Sequence, residues 1–72
     1  VKTNIEVAAK IVKLAAEQRD KGEDGQTFVA TSIYAIASVC AASDFPQEEV
    51  QSLAAEAIKQ GYKKTQEINE RN

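Results

Sequence analysis

Apolar residues recur along this chain with helical spacing in three separate runs, and the spacing predicts three helices. In the first run Ile5, Ala8, Ala9, Val12, Ala15 and Ala16 fall on one flank, with Val7, Ile11 and Leu14 on an adjoining one. Together they leave Glu6, Lys10, Lys13, Glu17 and Asp20 as a narrow polar strip. A helix at a protein surface needs an apolar arc of only about 100°. The wider arc here predicts contact with more than one neighbour. Thr3 and Glu6 have the spacing of a reciprocal N-terminal cap, so a helix over 4–21 is expected.

Gly22-Glu23-Asp24-Gly25 interrupts the period, and Gly22 is the natural C-terminal stop. A second helix is expected over 27–43. Its stripe is Val29, Ile33, Ile36, Ala37 and Cys40, widened by Phe28, Tyr34 and Val39. The β-branched residues would allow a strand over 28–36, but the run is long and rich in alanine, which favours helix. The stretch from Gly25 to Ser43 carries no charge, which predicts the central position in the fold. Its length approaches that of a membrane span, yet it contains Gln26, Thr27, Thr31, Ser32, Ser38 and Ser43. We read it as a core helix.

Asp44-Phe45-Pro46-Gln47-Glu48-Glu49 marks the next boundary. Asp44 is expected to cap, Pro46 to fix the first turn, and the glutamates to meet the positive end of the dipole. The third helix, expected over 45–67, has the stripe Val50, Leu53, Ala54, Ala57, Ile58 and Gly61, continued by Thr65 and Ile68. The expected fold is therefore all-α: a compact three-helix bundle in a single domain over 1–72, with dimerisation open to it.

Composition narrows the chemistry. Seventy-two residues with one cysteine and no histidine leave neither a disulfide within the chain nor an ordinary zinc site to supplement a small core. Tight packing or self-association must do so. A net charge of −2, from nine basic and eleven acidic residues, weighs against a polyanion partner. The unpaired thiol suits a reducing compartment, so a cytoplasmic location is expected. No charged start followed by an apolar run marks a signal peptide.

Candidate chemistry thins out on inspection. Asp20, Asp24 and Gly25 match the first, fifth and sixth places of a calcium loop. Gly22 and Thr31, however, stand where oxygen ligands should close it, so a solvated acidic turn is expected. Cys40 lies on the apolar stripe without a histidine base, which predicts a buried packing residue. Nothing resembles a nucleophile elbow, a phosphate loop or a metal pair, so no catalytic, cofactor or metal site is expected, nor a small-molecule ligand. Tyr62-Lys63-Lys64 fits a solvated helix end better than a docking point.

What remains is surplus apolar surface. The expected function is a small non-catalytic protein-interaction module, an adaptor, inhibitor or assembly factor. Its partner would be another protein or a second copy, with no membrane involved. The contact face would comprise Thr31, Tyr34, Ala35, Ser38 and Ala42, with Tyr34 as its anchor. The alternative is a DNA-binding regulator in which the second and third helices form a helix-turn-helix. Gln47, Glu48 and Glu49 at the start of its reading helix carry the wrong sign for phosphates.

Overall fold

The computed structural model describes residues 1–71. Three helices account for most of them: α1 (Ile5–Asp20), α2 (Gly25–Ala42) and α3 (Gln47–Arg71). An all-α bundle of three helices is what the periodicity predicts and what the chain forms. The boundaries fall within a few residues of expectation. The largest difference is at the C-terminus, where α3 runs straight through Gly61 and on to Arg71.

The caps differ from those the spacing suggests. Asn4, not Thr3, caps α1: its side-chain oxygen accepts from the Val7 amide at 3.2 Å and its carbonyl from the Ala8 amide at 2.9 Å. Asn is as good a cap as Thr, and one residue of shift is enough to dissolve the Thr3–Glu6 box. The first helix ends as expected. Gly22 adopts φ +93°, its amide donates to the Arg19 carbonyl, and the Glu23 amide donates to Gln18. That pair of bonds is the Schellman closure, which needs a left-handed residue and so favours glycine.

Asp24 then begins α2 two residues earlier than expected. Its carboxylate accepts from the Thr27 amide at 2.8 Å and from the Thr27 hydroxyl at 2.9 Å. At the other end, α2 closes with the same pair of bonds as α1. The Asp44 amide donates to Ala41 and the Phe45 amide to Cys40. Asp44 occupies the left-handed position at φ 58°. It therefore terminates the second helix and does not cap the third, which corrects the expectation for this residue. The carbonyl of Pro46 accepts the amide of Val50, so the proline sits just outside the first turn of α3.

The three helices form an open arch. α2 touches both neighbours, whereas no Cα of α1 lies within 8 Å of one in α3. Among the described residues, the one hydrogen bond joining the start of the chain to α3 is exposed, from Gln60 Nε2 to the Val1 carbonyl at 3.0 Å. The radius of gyration is 13.8 Å, against about 11 Å for a closed globule of this length. Among the described residues no side chain is buried. Partial cover is confined to the two corners, where Ala15, Ala16, Gln18, Glu23, Phe28 and Ser32 surround one turn and Cys40 and Val50 flank the other. The expected buried core is thus absent from the single chain, and Cys40 is half-buried instead of fully packed.

Candidate functional site

The two corners and the arms they hold apart define the surfaces available for recognition. At the first corner Val12, Ala15 and Ala16 of α1 face Phe28 and Val29 of α2. At the second, Ile33, Ala37, Cys40 and Ala41 of α2 face Val50 and Ala54 of α3 across an apolar crevice of about 360 Å³, with Phe45 at its end. The crevice follows from the local sequence. The Schellman closure at Asp44 turns the chain sharply, and it brings the first residue past the turn, Phe45, back against Cys40. Alanines at 37, 41 and 54 keep its walls shallow.

The five residues predicted as a contact face are all solvent-exposed. Thr31, Ala35, Ser38 and Ala42 follow at spacings of four, three and four, which places them on one face of α2, with Tyr34 at its edge. None of the five lines either corner, whose α2 residues are Phe28 and Val29 at one and Ile33, Ala37, Cys40 and Ala41 at the other. Tyr34 is 77% exposed. The Ser38 hydroxyl donates to the Tyr34 carbonyl at 2.9 Å, and the Ser32 hydroxyl donates likewise to Phe28 at 2.8 Å. Both serines thereby satisfy their hydroxyls within the helix, which makes its surface less polar than its composition suggests.

The larger surface is one that pattern reading assigned to the interior. Val29, Ile33, Ile36 and Val39 are each more than half exposed. With Ile5 and Val12 of α1, and Leu53 and Ile58 of α3, they leave an apolar surface uncovered along the whole arch. The signal for it was present in the stripe itself; what the pattern could not say is that three stripes would fail to meet. α2 is 18 residues long with a mean hydropathy of 1.3, so by length and composition it is apolar enough to cross a membrane.

Electrostatics offers little chemistry. The carboxyl of Asp24 is held below its ordinary value, first by the Thr27 amide and then by the Thr27 hydroxyl. The acidic turn thus serves as a helix cap. Among the described residues, no three acidic or cysteine side chains gather closely enough to hold a metal ion. Glu48, Glu49 and Glu56 border a shallow groove with Ser52, Leu53 and Phe45 on the outer side of α3. Comparison with known proteins returns no matching family model, no matching curated protein and no matching solved structure.

Proposed function

We propose that this chain is a non-catalytic protein-interaction module, cytoplasmic in location, whose folded core is completed by its partner. The observation that carries the reading is a charge-free helix, α2, of which no residue is buried. Fully covering one Val or Ile side chain stabilises by roughly 1.5–3 kcal/mol. The exposed set on α2 alone therefore holds enough driving force for a stable complex. Contiguous apolar patches of such extent on soluble proteins mark sites of association. The aliphatic side of α2 would carry the energy. The Thr31, Tyr34, Ala35, Ser38 and Ala42 face would let a second helix approach closely, with Tyr34 as an aromatic anchor.

Affinity capture from a lysate, with and without nuclease, tests this using the wild-type chain, Ile36→Glu and Tyr34→Glu. A stoichiometric protein that survives nuclease and moderate salt, and that is lost with Ile36→Glu, is the expected result. Both positions are exposed, so neither substitution should reduce the helical signal. Retention that disappears with nuclease would overturn the reading in favour of the helix-turn-helix alternative. Recovery only with the membrane fraction would instead place α2 in lipid.

A further inference from the structure

We draw no further inference here: the strongest candidate, the apolar crevice between α2 and α3 with the uncovered aliphatic stripes beside it, carries none, because nothing in the structure shows what covers it.

Discussion

Gly61 is the position where a single methyl group tests the account of α3 most directly. It lies in the interior of a 25-residue helix, about 37 Å long; the neighbouring Gln60 reaches the Val1 carbonyl, but a Cβ at Gly61 would meet no atom within 4 Å. In a helix interior, alanine is more favourable than glycine by about 0.8–1.0 kcal/mol, chiefly because glycine loses more backbone freedom on folding. With open space around the added Cβ there is no steric term to subtract. Gly61→Ala should therefore stabilise the dilute chain by about 0.9 kcal/mol, a factor of four to five in the local helix equilibrium. For a domain of this size it should raise the midpoint of thermal unfolding by about 4–7 °C. The assay is circular dichroism at 222 nm during thermal and urea unfolding, at low micromolar protein and again at a concentration about a hundredfold higher. In the dilute sample the gain should be present in full. In the concentrated sample the gain should be the same, and a gain that shrinks there would report a second chain seated against Gly61. A destabilised dilute variant would refute the structure's account of α3. It would mean that Gly61 already has a close neighbour within the chain, or adopts a backbone that alanine resists.

The remaining predictions concern the turns and the crevice. Gly22→Ala should cost about 1–2 kcal/mol in urea unfolding, because φ +93° is open to glycine alone, whereas Asp44→Gly at φ 58° should be neutral or stabilising. The two turns share one bonding pattern, so equal effects of opposite sign to these would sink the comparison. Asp24 is favoured as a carboxylate in the folded state, so its contribution to the α2 terminus is present above pH 3.8 and lost as pH falls through its lower folded value. Amide exchange at Thr27 should follow that loss, and Asp24→Asn, which caps without titrating, should remove the pH dependence while keeping the protection. Finally, Cys40 lines the crevice and is half-buried, so its thiol should be labelled more slowly in the folded chain than in urea. Equal rates in the two conditions would show that the crevice does not shield the thiol.

Much of the local structure is legible in the sequence, because helix periodicity and termination are local matters. The stripe of α2, the stop at Gly22 and the boundary between α2 and α3 need only a few neighbouring residues to specify them. Where the reading errs locally, it errs between residues of similar competence. Asn4 and Thr3 can both cap, and the spacing of Glu6 favoured the wrong one. Asp44 can cap the next helix or, as one of the few residue types that tolerate a left-handed backbone, end the previous one; the bonds to Ala41 and Cys40 decide it. The candidate site is legible in part. The five residues of the Ala-rich face lie together and exposed. The aliphatic surface beside them was assigned to a core, because periodicity reports which residues avoid water and not what they meet.

That distinction has an energetic consequence. Caps and turn geometry fix where each helix starts and stops, each at the level of about 1 kcal/mol. They hold the helices in sequence but do not press them together. The term that ordinarily does so, removal of large side chains from water, is largely unspent here. Val29, Ile33, Ile36 and Val39 still face solvent, and helices in proteins draw most of their stability from packing an apolar face and little from propensity alone. Folding and association should consequently draw on the same side chains. A ligand present at a hundred times its Kd adds about 2.7 kcal/mol, comparable with the whole stability expected of a core this small. Substitutions on the uncovered stripes should then change stability and binding together, whereas substitutions at Gly22, Asp24 or Asp44 should change stability first.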